Sequence, residues 1–324
     1  MLAAYAARLD PTDPLAALEV GERPDPDVPD GWSRVHVRTA ALNHHDVWSL
    51  RGVGLPADRL PMILGCDGAG VTDDGREVLL HSVIPSPGWS GDETFDPRRT
   101  LLSELYDGTL AEQVVVPTAN LVPKPEAISW EAAACLSTAW LTAYRMLFTN
   151  AGVSPGDTVL VQGAGGGVAT ALVQLGAAAG IRMWVTSRDE ARGARAVELG
   201  ADRAFASGER LPERVTAVME TVGAATWSHS INSLQPGGTI VICGATSGDA
   251  PAKAELTKIF FKQLRVVGSA MGSIIEFRRL VDFVVQQGIS PVIDQVIPLA
   301  DARDGFRRMI DGDNFGKIVL TMDS

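Results

Sequence analysis

The sequence predicts an α/β protein, with a doubly wound parallel sheet preceded by a β-rich segment. Three observations carry this. The run Thr158-Val159-Leu160-Val161-Gln162-Gly163-Ala164-Gly165-Gly166-Gly167-Val168-Ala169 reads as strand, tight glycine turn and helix start, with small and apolar residues continuing to Gly180. A second strand at Ile181–Thr186 completes a βαβ unit, and alternation of helix and apolar strand continues beyond it. Residues 1 to about 120 look different: prolines at 24, 26, 29, 56, 61, 85, 87 and 97 cut them into short, strand-like pieces.

The elements follow in order. Val35-His36-Val37-Arg38 alternates like a half-buried strand, and Glu112–Val116 reads as a strand ended by Pro117. Residues 84–108 are polar and irregular, a surface lobe in expectation. Ser129 is a candidate N-cap for a short helix through Leu136, and Ala139 to Phe148 forms another. Asp189 to Leu199 is helical and stops at Gly200. Val215–Glu220, Thr239–Cys243 and Leu264–Gly268 supply further strands. Phe277 to Gln287 is an amphipathic helix and Phe306 to Ile310 a short one. Phe315–Leu320 closes the chain as a strand expected to pack back on the first domain.

Composition bounds the function. A net charge of −11 argues against nucleic acid or an anionic membrane as partner. The three cysteines, Cys66, Cys135 and Cys243, lie far apart with no CxxC pair, which indicates neither a disulfide framework nor a cysteine-rich zinc site, and points to a reducing, cytoplasmic setting. The N-terminus lacks the features of a signal peptide. Thr158 to Ile181 is uncharged, but its glycines make it a poor membrane span and a good strand-turn-helix.

The glycine turn predicts dinucleotide binding, because backbone N–H groups at a helix N-terminus can approach a pyrophosphate and the helix dipole favours its charge. An NAD enzyme would place a carboxylate at the end of the second strand for the ribose 2′-hydroxyl. Here Thr186, Ser187 and Arg188 stand there, donors suited to a 2′-phosphate, so NADP is the expected cofactor. Arg188 is equally readable as a solvated charge at a helix start.

Further pieces stand in a telling order: Ala41-Leu42-Asn43-His44-His45-Asp46, Leu64-Gly65-Cys66-Asp67-Gly68-Ala69-Gly70-Val71, Leu141-Thr142-Ala143-Tyr144, the glycine turn, Leu199-Gly200-Ala201-Asp202, Leu234-Gln235-Pro236-Gly237-Gly238 and Gly316-Lys317-Ile318-Val319-Leu320. Over nearly the full length they resemble the medium-chain dehydrogenase/reductases. The resemblance implies a GroES-like catalytic domain at 1–122, a Rossmann domain at 123–270 and a C-terminal return at 271–324. It also implies hydride transfer with a nicotinamide cofactor. Asn43, Gly65-Cys66-Asp67 and Thr138 stand where zinc alcohol dehydrogenases keep their Cys, Gly-His-Glu and Cys ligands, and Ser86 to Tyr106 has no cysteines for a structural zinc. The chain therefore resembles the zinc-less, quinone-oxidoreductase-like branch, with no metal expected.

By the same resemblance, Ala164, Gly166, Gly167 and Ala169 occupy the fingerprint positions around Val168, with alanine at the first and last a departure from the pattern, and Lys317 lies near the pyrophosphate. Gly244, Ala245 and Thr246 line the nicotinamide pocket, with Met271 adding backbone contacts. His44 and Thr142 complete the cofactor set. Asn43, His45 and Asp46 are the candidate catalytic residues. His45 stands where zinc enzymes keep a proton-relay hydroxyl, though a loop histidine pair is as often structural. Some enoyl reductases of the family carry a tyrosine proton donor at the position of Gly54. The expected function is NADPH-dependent reduction of a small-molecule quinone, activated carbonyl or enone. An enoyl-thioester reductase and a cofactor-binding sensor with little turnover are the alternatives. By analogy the protein is a homodimer, joined through the edge strand at Leu264–Gly268.

Overall fold

The computed structural model describes residues 1–322. The chain forms two compact units, Met1–Ala139 together with the segment from Gly272 onward, and Trp140–Met271.

The first unit is built on a seven-stranded sheet. Its central strand, Trp32–Ala41, pairs antiparallel with Asp67–Thr72, Gln113–Pro117 and Lys317–Thr321. Ile293–Pro298 joins in parallel beyond Lys317–Thr321, so the C-terminal strands do return to this unit. A small sheet of Leu2–Ala6, Leu18–Glu22 and Met62–Ile63 stands beside it. Val35, Val37, Leu42, Leu50, Leu64, Leu80, Leu102, Phe306 and Ile318 share one core. The alternation seen at 35–38 is the inward face of a longer strand: Val35 and Val37 are buried, His36 and Arg38 exposed.

Residues 123–139, expected with the Rossmann domain, belong to this first unit. Thr39 Oγ1 donates to the Trp130 carbonyl at 2.7 Å, and Ala134 and Cys135 pack on Ala41 and Val319. Ser129 does cap the helix Trp130–Ala133, accepting from Ala132 N. The 84–108 lobe is not merely surface. Val83–Ile84 pairs with Thr100–Leu101, and Glu93, Asp96, Leu102 and Ser103 are buried.

The second unit is a six-stranded, wholly parallel sheet. Across the sheet run Arg203–Ala206, Arg182–Ser187, Thr158–Val161, Val215–Glu220, Leu234–Ile242 and Arg265–Gly268. In chain order that is 3-2-1-4-5-6, the dinucleotide-binding arrangement, whose ligand crevice lies at the carboxyl ends of strands 1 and 4. Arg203–Ala206 is an added edge strand that sequence pattern did not reveal; its apolar run, Ala204-Phe205-Ala206, is only three residues long. At the opposite edge lies Arg265–Gly268. Among the described residues no helix is long and apolar enough to cross a membrane.

Candidate active site

In the first unit, the central strand ends at Ala41 and the chain turns through Asn43 into the helix His44–Leu50. Asp46 fixes that turn. Its fully buried carboxylate accepts from Asn43 N at 2.8 Å and from Gly65 N at 3.0 Å. Gly65 has φ +103°, and a Cβ there would come within 2.5 Å of Thr109 Oγ1 and 2.9 Å of the Leu110 backbone N. Only glycine fits such a place. Gly65 thereby sets Cys66 beside His45.

His45 is the centre of a chain of contacts. Its Nδ1 lies 3.4 Å from Cys66 Sγ, and its Nε2 lies 3.2 Å from Glu104 Oε1. The Cys66 thiol donates to the Leu102 carbonyl at 3.2 Å, and Ser103 Oγ is 3.7 Å from the sulfur. Glu104 is anchored in turn: its Oε2 accepts from Leu101 N at 2.9 Å and Thr100 Oγ1 at 3.2 Å. Ser103 sits at φ +69°, a strained conformation for a non-glycine residue, in the turn that brings Leu102 and Glu104 together. Burial works against a charge on the ring, but hydrogen bonds with Cys66 and Glu104 and the nearby Asp46 carboxylate outweigh it and raise the His45 pKa. Burial pushes the Cys66 thiol up despite His45. Glu104 is held below the usual carboxylate range, since His45 and the Leu101 amide outweigh its partial burial.

Asn43 and Lys317 have other work than was expected of them. Lys317 is buried, and its ammonium donates to Leu42 O at 2.8 Å, Asn43 Oδ1 at 2.6 Å and Asp67 Oδ2 at 2.9 Å. An ammonium has three N–H donors, so none is left for a pyrophosphate. Asn43 Nδ2 donates to Asp67 Oδ2 at 2.9 Å and Ala41 O at 3.3 Å, which spends both its hydrogens. Ser137 Oγ completes the shell of Asp67 at 2.7 Å. Asn43 and Asp46 therefore hold the site together, and neither has a donor to offer a substrate oxygen. His44 is exposed at the helix start.

Ligand atoms of His45, Asp46 and Cys66 lie within 4.8 Å of one another. They fit a catalytic zinc poorly. Such a site needs three protein ligands converging on an open fourth position, whereas both Asp46 oxygens face backbone N–H groups that shape the turn and Cys66 lies fully buried. Asn43 and Thr138 offer neither thiolate nor imidazole.

In the second unit, Thr158–Val161 runs into Gly163 at φ +89° and then Gly166, which begins the helix Gly167–Ala178 with no side-chain cap. A Cβ on Gly166 would meet nothing within 4 Å, so the exposed turn is open above its backbone. Ala164 is buried and Val168 half-buried. Thr186, expected at the 2′-phosphate, is buried instead; its hydroxyl donates to Gln162 Oε1 at 2.7 Å. Gln162 goes on to Ser230, and Ser230 to the fully buried Glu220, a polar network beneath the turn. Ser187 Oγ is occupied by Asp189, donating to its carbonyl at 2.7 Å. Arg188 is exposed. Ala245 and Thr246 are exposed after the fifth strand, Gly244 is half-buried, Met271 has φ +57°, and Thr142 is buried.

Sequence reasoning missed Glu104 and the pairing of Cys66 with His45. No local pattern joins residues 45, 66 and 104, and Glu104 lies in a lobe without periodicity. His36, His81 and His229 take the structural roles expected of them, bonded to Asp73, Glu93 and Gln162.

Fold and site together define an oxidoreductase built from a GroES-like unit and a dinucleotide-binding unit. Comparison with known proteins agrees. Residues 29–126 match the alcohol dehydrogenase GroES-like domain and residues 167–286 the zinc-binding dehydrogenase domain. The chain is 32% identical to the zinc-type alcohol dehydrogenase-like protein YogA of Leptosphaeria maculans, over 88% of this chain and 89% of that one. It is 29% identical to the acryloyl-coenzyme A reductase of Metallosphaera sedula, over 94% and 96%. A crystal structure of an NAD-dependent alcohol dehydrogenase superposes with a TM-score of 0.90 at 33% identity, covering 100% of both chains. The chain belongs to the medium-chain dehydrogenase/reductase superfamily, among the zinc-type alcohol dehydrogenase-like proteins.

Proposed function

We propose that this protein is an NADPH-dependent reductase of activated acceptors, working without zinc. The acceptors are double bonds conjugated with a carbonyl, enoyl thioesters included, and quinones. One observation carries the reading: an ionisable acid, His45, stands against Glu104 at the position where zinc enzymes keep a proton-relay hydroxyl. When bound, the reduced nicotinamide supplies the hydride. An acceptor of this kind leaves a delocalised anion, which needs a proton more than a Lewis acid. Ordinary aldehydes lack that delocalisation and gain more from a metal. The acryloyl-coenzyme A reductase among the relatives supports placing thioesters in the class. Gly54 stands where some enoyl reductases have their tyrosine, so the proton must come from elsewhere.

For the cofactor, Arg188 is the free cation near the end of the second strand, exposed and without an ion-pair partner among the described residues. Arg188→Ala should weaken NADPH by about 1.5–3 kcal/mol, the scale of a hydrogen bond to a charged group, and leave NADH nearly untouched. Equal losses for both cofactors would show that Arg188 does not read the 2′-phosphate.

The test follows nicotinamide oxidation with acryloyl- and crotonyl-coenzyme A, an enone, a quinone and an aldehyde. Products are analysed for a saturated carbonyl or an alcohol, and zinc is measured by elemental analysis. Saturated products from protein containing well under one zinc per chain would bear the proposal out. Aldehyde reduction that chelator abolishes would overturn it. No turnover with any acceptor, despite cofactor binding, would favour the sensor reading.

The protein is further proposed to act as a cytoplasmic homodimer. Among the described residues the edge strand Arg265–Gly268 is unpaired on one side; its Val266 is exposed, as are Leu256, Phe260 and Phe261 of the helix that precedes it. An apolar patch along a free strand edge favours a second copy.

A further inference from the structure

The mechanism above needs a histidine that is charged at neutral pH and stays so until substrate arrives. What fixes that state can be read from the hydrogen bonds alone. A carbonyl oxygen only accepts, so the Cys66 thiol spends its single hydrogen on Leu102 O. Towards His45 the sulfur can then only accept, which requires a hydrogen on Nδ1. The Glu104 carboxylate also only accepts, which requires a hydrogen on Nε2. With the thiol hydrogen on Leu102 O, both ring nitrogens are donors and the ring is an imidazolium.

We propose that Glu104 is the positioning residue of this enzyme, holding His45 as the proton donor for the reduced acceptor, with Cys66 locking the far side of the ring. This rests on the reductase reading given above. Glu104 suits the task by its own restraints, since Leu101 N and Thr100 Oγ1 fix its second oxygen. The pair is reachable, because the side chains of His45 and Glu104 retain 21% and 22% exposure. Gly54 matters too. A Cβ there would lie 3.3 Å from Glu104 Oε1 and 4.0 Å from His45 Nε2. The missing side chain leaves the pair uncovered at the position where a tyrosine would otherwise stand.

Hydride adds to the β-carbon of the acceptor, and the electron pair of the double bond moves into the carbonyl system as an enolate. The Nε2–H bond breaks, and its proton joins the enolate to give the saturated product. His45 is left neutral, keeping its Nδ1 hydrogen on Cys66. A solvent proton taken up at the exposed edge of the pair restores the imidazolium. The ionisable groups facing the ring are Cys66, Glu104 and Asp46. Asp46 is fixed in the turn and Cys66 is a buried thiol, which leaves Glu104 as the adjustable one.

The test is Glu104→Gln. The amide keeps the shape and removes the charge. NMR of the labelled His45 ring in the unaltered protein should show an imidazolium at pH 7. In the variant its titration should move down by about one pH unit or more, the effect of losing an adjacent opposite charge. Proton donation fails as pH rises through the histidine pKa, so the alkaline limb of kcat for an enone should move down by the same amount. KM for NADPH should stay within about twofold, as expected of a group that acts only in the chemical step. Glu104→Asp should restore part of the limb. A neutral ring at pH 7 in unaltered, active enzyme would overturn this proposal alone, as would an unmoved limb in Glu104→Gln. A charged ring with no acceptor reduced would overturn the reductase reading and the proton donation with it.

Discussion

Lys317 shows how a single side chain changes meaning once its neighbours are known. Buried ion pairs are weak evidence of net stability, but removing one partner leaves an uncompensated charge. Lys317→Met should therefore destabilise the first unit by about 3–5 kcal/mol, measured by urea unfolding, because Asp67 would stay buried without its cation. A cofactor-binding lysine would behave in the opposite way, raising KM for NADPH with stability intact. Lys317→Met combined with Asp67→Asn should recover part of the loss.

At the scale of elements, the glycine turn and the 83–104 lobe carry the argument. Gly166 has an ordinary φ of −74° and open space where a side chain would go. Gly166→Val should therefore still fold, at a cost of about 1 kcal/mol because valine is a poor residue at this helix N-cap. It should weaken cofactor binding at least about tenfold, because its side chain would fill the space a pyrophosphate needs; calorimetric titration with NADPH reads this directly. Unaltered affinity would remove the turn from the cofactor site. The lobe is tied down by Glu93, which accepts from His81 Nε2 at 2.9 Å and from the backbone N–H of Ile274 at the start of the helix Ile274–Gln287. Burial tends to raise the Glu93 pKa, but His81 and the backbone donors prevail and hold it below the usual value. A depressed folded pKa gives stability that is full above the unfolded value near ~4.5 and is lost as pH falls through the folded one. Glu93→Gln should accordingly flatten the acid limb of the stability curve, followed by thermal unfolding between pH 3 and 7.

Over the whole molecule, the two units divide the labour. The first holds the His45–Glu104 pair and the second the glycine turn. Edge strand Arg265–Gly268 with its exposed Phe260, Phe261 and Val266 predicts assembly. Sedimentation should give a dimer, and Val266→Lys, which puts charge on that edge, should give a monomer whose fold is intact by circular dichroism. A monomeric unaltered protein would overturn the homodimer.

The alternation of strand and helix, the position of the glycine turn, the superfamily and the weakness of the zinc ligand set are all legible in the amino-acid sequence. Each of these is a local pattern: an apolar run, a glycine cluster, or the wrong residue type at a ligand position. His45 could be singled out the same way. Its partners could not, because Cys66 and Glu104 lie 21 and 59 residues away in sequence and meet it only through the tertiary fold. Thr186 and Lys317 depart from expectation for a related reason. Their residue types suit a phosphate, but burial commits their donors inside the protein, and burial is a property of packing rather than of type. The division of the chain at residue 139 was likewise decided by packing, where the helix Trp130–Ala133 settles on the central strand of the first unit.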